Sequence, residues 1–243
     1  MPSDSPAAVV RGTGVEKVYT SATGEVHALQ AVDLEVEPAR ITSIVGPSGS
    51  GKSTLLRIIG CLDRATAGRV EVDGIDVGRL SGKARRQLRR AAIGYVFQSP
   101  DRNLLPYLSA AEHLDLAARL RPRGAPPGTT PGIAPGAAPG TADQVESLLE
   151  LLGLSDRRRA RPAELSGGEQ QRLAVAMAVV GRPRLIIADE PTAELDSASA
   201  DRVVSLMQRL RDDGATVIVA SHDQIVVSAA DRTVLLSHGS IER

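Results

Sequence analysis

The sequence predicts an α/β protein built on a mainly parallel sheet, and three observations carry that expectation. Short apolar and β-branched runs at 41–45, 93–97, 185–188, 216–220 and 233–236 are separated by helix-like stretches. Runs that are apolar throughout suit strands covered on both faces, as crossover helices require. The first of these runs ends in a glycine-rich turn that leads into a helix-like stretch at 53–59. The segments 9–18 and 31–36 alternate more and are expected to form an antiparallel part.

The remaining elements follow in order. Residues 69–72 read as a strand, and the basic run Arg85, Arg86, Arg89 and Arg90 that follows reads as solvated surface. Helix-like stretches at 109–120 and 142–152 flank a segment, 121–140, that holds eleven Gly and Pro residues. Proline lacks the helical donor, glycine costs backbone entropy, and the tract offers little apolar side chain to order. It is expected as an exposed loop or tether inside the chain rather than a domain boundary. In the second flanking stretch Val145, Leu148, Leu149 and Leu152 share one face. Residues 168–180 are a further helix candidate.

Composition narrows the function. The chain has 243 residues, 29 basic and 29 acidic, so its formal net charge is zero, which argues against a dedicated nucleic-acid binder. One cysteine, Cys61, excludes an intrachain disulfide scaffold and a cysteine-only metal cluster. No run approaches the roughly 20 apolar residues of a membrane-spanning helix. The first ten residues lack a basic stretch leading into an apolar one, so they do not read as a secretory signal. With four Phe and Tyr residues and no Trp, the core is expected to be aliphatic.

The chemistry begins at GPSGSGKST, which is Gly46, Pro47, Ser48, Gly49, Ser50, Gly51, Lys52, Ser53 and Thr54. It matches the P-loop pattern in full, in the strand–turn–helix context the pattern needs. The glycines let successive N–H groups turn toward phosphate oxygens, and the helix adds its positive end. Lys52 is placed to reach the β and γ phosphates, and Ser53 to offer a hydroxyl to Mg²⁺. A second apolar strand, LIIADEP, ends in adjacent acids. Asp189 is expected in the Mg²⁺ shell and Glu190 as the group that polarises an attacking water. Two adjacent acids repel unless a cation relieves them.

With these motifs in place, the sequence resembles the ATP-binding subunits of ABC transporters over nearly its whole length. LSGGEQQR, residues 165–172, is the most specific feature. The resemblance implies a P-loop NTPase fold with an inserted helical subdomain at about 99–165, all within one domain, 1–243. It implies that Ser166, Gly167, Gly168 and Glu169 bind the ATP held by an opposite subunit, and that Asp196 crosses the same seam. Gln98, after the strand IGYVF, looks like the glutamine that contacts Mg²⁺ or water and faces the membrane subunit. His222, in VIVASHD, looks like the histidine that contacts the γ phosphate beside Glu190, and Tyr19 like the aromatic that stacks on adenine. ATP and Mg²⁺ are the implied cofactors. A second ATP-binding subunit, with a homodimer expected, and an integral membrane permease are the implied partners, with no nucleic acid. The implied location is peripheral, on the cytoplasmic face of the plasma membrane.

The closer resemblance is to the macrolide-exporter and lipoprotein-releasing ATPases, through GPSGSGKSTLLRIIGCLDRATAG, FQ followed by NLLP, and RPAELSGGEQQRLAVA. A cell-division-type regulatory ATPase is the competing member of the same class. Soluble repair and translation ATPases need long coiled coils or two ATPase units in one chain, and a P-loop kinase or GTPase leaves LSGGEQQR unexplained. Three departures stand out. Glu194 replaces a usual asparagine in PTAELDS, Met177 replaces a usual arginine, and about two residues are added after Gln98. Cys61 is expected as a small buried residue.

Overall fold

The structure is a computed structural model that describes residues 9–21, 24–121 and 142–242. Its strands are β1 (Val10–Ser21), β2 (Gly24–Val36), β3 (Ile41–Val45), β4 (Ala67–Val72), β5 (Ile75–Asp76), β6 (Ile93–Val96), β7 (Leu185–Asp189), β8 (Thr216–Ala220), β9 (Arg232–Ser237) and β10 (Ser240–Ile241). Its helices are α1 (Lys52–Ile59), α2 (Gly82–Ala92), α3 (Ala110–Leu120), α4 (Ala142–Leu151), α5 (Gly167–Val179), α6 (Ser197–Asp212) and α7 (Gln224–Ser228). Apart from Arg121, the Pro/Gly tract expected as a tether lies outside the described residues.

Strand pairing sorts the chain into two sheets. One is antiparallel, in the order β2-β1-β4-β5. The other runs β10-β9-β3-β8-β7-β6, with β9, β3, β8, β7 and β6 parallel and β10 antiparallel to β9. The expected α/β class and mainly parallel sheet are therefore present. β2 is longer than the alternating pattern suggested: it begins at Gly24 rather than Ala31 and brings His27 and Ala28 toward the phosphate loop.

β3, β6, β7 and β8 are buried on both sides, while β9 leaves Leu235 exposed, and successive residues divide between two apolar cores. Ile186, Ala188, Val217 and Val219 pack with residues from α3, α4, α5 and α6. Leu185, Ile187, Ile218 and Ala220 pack with α1 and the antiparallel sheet. The period-2 alternation of a strand explains this split. Val145, Leu148, Leu149 and Leu152 are all buried, as their helical spacing predicted. α3 and α5 each start with a complete capping box, Ser109 with Glu112 and Ser166 with Glu169, which satisfies otherwise unpaired first-turn donors.

The basic run of α2 is only partly the solvated surface the sequence suggested: Arg86 and Arg90 are exposed, Arg89 is half-buried and Arg85 is buried. Arg85 is buried and donates to the Asp63 carbonyl. Arg89 donates to the Cys61 carbonyl at 3.2 Å, and Arg90 to the Leu120 carbonyl at 3.0 and 3.1 Å. Long basic side chains here tie carbonyls at turns and a helix end, where their charge meets exposed lone pairs. Cys61 is buried as expected, and burial pushes its thiol pKa up.

At the far end of α5, Arg121 donates to the Val180 and Ala178 carbonyls at 2.7 and 2.8 Å. Its cation caps the negative end of that helix. Burial pushes its pKa down to about 10. Met177 packs against the helix-side core next to this cation, so the end of α5 keeps a polar tie that comes from another element. Gly94 completes the joint: a Cβ there would overlap the Ala178 carbonyl oxygen. Gly94→Ala is therefore expected to cost about 3 kcal/mol in urea unfolding, because backbone must move to admit one methyl. A loss under about 0.5 kcal/mol, the range of neutral surface changes, would contradict this packing.

Candidate active site

The functional side chains gather where parallel strands end. β3 ends at Val45 and the chain enters the loop 46–51 before α1. Gly46, Gly49 and Gly51 have φ of 154°, 78° and 104°, which side-chain-bearing residues rarely adopt. Two of these glycines are also forced by close approach. A Cβ on Gly46 would overlap the Leu236 carbonyl, and one on Gly51 the Ala28 carbonyl. The Lys52 ammonium lies across the loop, donating to the Gly46 and Pro47 carbonyls at 2.8 and 3.0 Å.

β7 delivers both acids. Asp189 is its last residue and is 4% exposed. Burial raises its pKa and the neighbouring Glu190 charge adds to the shift, while the Ser53 hydroxyl bond and the Arg57 and Lys52 cations act against it. The next residue, Glu190, turns to φ 48°, a conformation that costs a non-glycine residue on the order of 1 kcal/mol or more. Its N–H is held by the Ala220 carbonyl at 2.8 Å, which locks the turn onto the end of β8. The carboxylate then faces His222, with Nδ1 to Oε1 at 3.1 Å. Its other oxygen, Oε2, is buried without a hydrogen-bond partner. Just beyond, Thr192 donates to Asp223 at 2.9 Å, fixing the two strand-end loops to each other.

Gln98 is exposed at the end of β6. Its loop is pinned by Asn103, which accepts from the Phe97 N–H at 3.0 Å and donates to the Tyr95 carbonyl at 2.9 Å. This positioning residue lies in the NLLP segment, where sequence gave a resemblance but no role. His27 and Ala28 are further wall residues that sequence reasoning missed. The only signal for them was the glycine at position 24 that starts β2.

A cleft of about 600 Å³ brings most of the expected residues together. The whole loop from Gly46 to Thr54, with Gln98, Asp189, Glu190 and His222, lines it, alongside Val26, His27 and Ala28. Tyr19 is outside the lining but is the cross-strand partner of Val26. Lys17 lies 4.7 Å from its ring centroid, and its hydroxyl donates to Asp63 at 2.9 Å. Ser166, Gly167, Gly168, Glu169 and Asp196 do not line the cleft. They stand at the N-termini of α5 and α6, where Ser166 and Asp196 are the caps.

The donor set fits Mg²⁺ with a nucleotide. A buried carboxylate whose ionisation burial opposes, a hydroxyl beside it and an unpartnered buried carboxylate oxygen face a loop whose glycines can turn N–H groups to phosphate. Fold and cleft together define a P-loop nucleotide-binding protein. The ABC transporter profile matches residues 29–193, and the chain belongs to that family. It is 39% identical to the lipoprotein-releasing system ATP-binding protein LolD of Hyphomonas neptunium over 229 residues, 94% of each chain. It is 38% identical over 239 residues to the macrolide export ATP-binding/permease protein MacB 1/2 of Paracoccus denitrificans. That match takes in 98% of this chain but only 34% of the longer protein. Among solved structures, the ATP-binding cassette MJ0796, dimeric and bound to ADP and Pi in a post-hydrolysis state, superposes with a TM-score of 0.85. It shares 36% identity, covering 96% of this chain and 97% of that one.

The raised pKa of Asp189 sets a testable sign. The folded chain holds this proton to higher pH than the unfolded chain does, so the group's contribution to stability falls as pH rises through the folded pKa. Asp189→Asn is therefore expected to raise the urea midpoint at pH 7. The gain should shrink as pH falls toward 3.8, the ordinary carboxyl value. Loss of stability at pH 7, or a gain independent of pH, would contradict the burial cost.

Proposed function

We propose that this chain hydrolyses ATP as one half of a head-to-tail pair, and that the pair drives a separate membrane permease from the cytoplasmic face. One observation carries the reading: Glu190 and His222 meet across the phosphate loop, while the glycine pair Gly167 and Gly168 lies outside the cleft. A site that needs both must draw the second from another copy.

In this reading the loop N–H groups and Lys52 hold the β and γ phosphates. Tyr19 and Val26 bound the adenine end, with the ring of Tyr19 offered for stacking beside the Lys17 cation. Asp189, Ser53 and Gln98 would hold Mg²⁺, which when bound neutralises charge developing on the phosphates. Glu190 takes the proton of the attacking water as it aligns with the γ phosphate. His222, hydrogen-bonded to Glu190, orients that carboxylate and contacts the phosphate. Ser166, Gly167, Gly168 and Glu169 of the second copy close over the γ phosphate, and Asp196 reaches across the seam.

The described residues between 99 and 165 form the helical subdomain that moves on closure. The surface between Gln98 and Leu120 receives the permease. Among the described residues no helix is long and apolar enough to cross a membrane, which suits a peripheral subunit of such a complex. The relatives suggest export of a drug-like or lipoprotein cargo.

Glu190→Gln is expected to lower kcat by about 10²–10⁴-fold, the range for removing a positioned base. It should leave ATP binding intact and accumulate an ATP-bound dimer on size-exclusion chromatography. Turnover near that of the parent chain would sink the assignment of Glu190 as base.

A further inference from the structure

Asp63 follows α1, outside the lining of the cleft, and no step described above uses it. Both oxygens of its carboxylate are nevertheless taken by β1. Oδ2 accepts from the Tyr19 hydroxyl at 2.9 Å, and Oδ1 from the Lys17 ammonium at 2.8 Å. Lys17 also donates to the Arg64 carbonyl at 2.9 Å, keeps only 12% of its side chain exposed, and lies over the Tyr19 ring. A phenol held at its hydroxyl and covered on one face by a cation has its orientation set by its neighbours.

The main chain of Asp63 is held from two helices. Its N–H donates to the Arg57 carbonyl of α1 at 3.1 Å, and its carbonyl accepts from the buried Arg85 of α2. α1 is the helix that opens with Lys52 at the phosphate loop. One end of that helix therefore carries the phosphate loop, and the other, through Asp63, sets where the Tyr19 ring stands.

The geometry points to Asp63 as a positioning residue for nucleobase recognition: with Lys17 it holds Tyr19 in register with the phosphate loop, so that the ring can stack on adenine. This rests on the adenine contact of Tyr19 proposed above. Two effects follow. A ring ordered before the nucleotide arrives spares binding the cost of ordering it. The Lys17 cation on one face offsets the negative charge of the π-cloud, which otherwise opposes face-to-face stacking of a base on the other. Neither effect reaches the phosphates, so both favour a nucleotide over the bare phosphate chain.

The test uses the full chain with Mg-ADP and Mg-pyrophosphate, because ADP lacks the γ phosphate and is not hydrolysed. Isothermal titration gives the ratio of the two affinities. Tyr19→Ala is expected to lower that ratio at least about fivefold, the low end for losing one base stack. Tyr19→Phe keeps the ring and removes only the hydroxyl tie, and is expected to lower it about two- to fivefold, the net worth of one hydrogen bond. Asp63→Ala should lower it at least as much, and adding Tyr19→Phe to Asp63→Ala should cause no further loss, because both cut the same bond. Pyrophosphate affinity should hold throughout. No change for Tyr19→Phe, while Tyr19→Ala lowers the ratio, overturns the positioning role and leaves the adenine contact standing. Equal losses for ADP and pyrophosphate in Asp63→Ala make Asp63 a structural tie and also overturn it. Should Asp63→Ala fail to fold, Tyr19→Phe decides alone. A ratio that ignores Tyr19→Ala removes the adenine contact, and the positioning role with it.

Discussion

Two carbonyl groups decide how this molecule is put together. The backbone at Gly46 passes so near the Leu236 carbonyl, and at Gly51 so near the Ala28 carbonyl, that neither position has room for a side chain. Leu236 belongs to the parallel sheet and Ala28 to the antiparallel one. The phosphate loop is thus wedged between the two sheets, and the Ser50 carbonyl accepts from the Gly239 N–H at 3.1 Å on the same side. A loop held by neighbours on both sides can keep a conformation that costs backbone freedom, and so presents its N–H groups without reorganising.

The other reacting groups inherit their positions from that wedge. β6, β7 and β8 run parallel to β3, so Gln98, Asp189, Glu190 and His222 all emerge at the same edge as the loop. Ligands of open α/β sheets collect at this carboxyl edge because every strand delivers a loop there. The strain at Glu190 is held by its N–H bond to Ala220 and by the burial of its carboxylate against His222. α5 answers to different neighbours. Its N-terminus is capped internally, and its C-terminus is tied by Arg121 to the end of α3. The glycine pair therefore sits at the N-terminus of α5, outside the lining of the cleft.

Sequence revealed the parallel strands and the phosphate loop well, because each has a local cause: apolar runs and glycine spacing. It failed where the cause is distant in the chain. The early start of β2 depends on pairing with β1 across a nine-pair register. The burial of Arg85 depends on a carbonyl 22 residues away, and the tie from Arg121 on carbonyls 57 and 59 residues away. The basic run of α2 was read outward, and here Arg85 and Arg89 turn inward to carbonyls. At the site, the motifs located Glu190 and His222 separately. Only the folded chain shows the 3.1 Å contact between them.

The central claim is that each reacting centre is built from two copies. Mixing two inactive chains tests it most directly: one carrying Lys52→Ala, the other carrying Ser166→Arg. If sites are composite, a mixed dimer contains one site with an intact phosphate loop facing an intact glycine pair. ATP hydrolysis should then appear on mixing and follow the fraction of mixed dimer. A mixture as inactive as its parts, with mixed dimers demonstrably formed, would contradict the account.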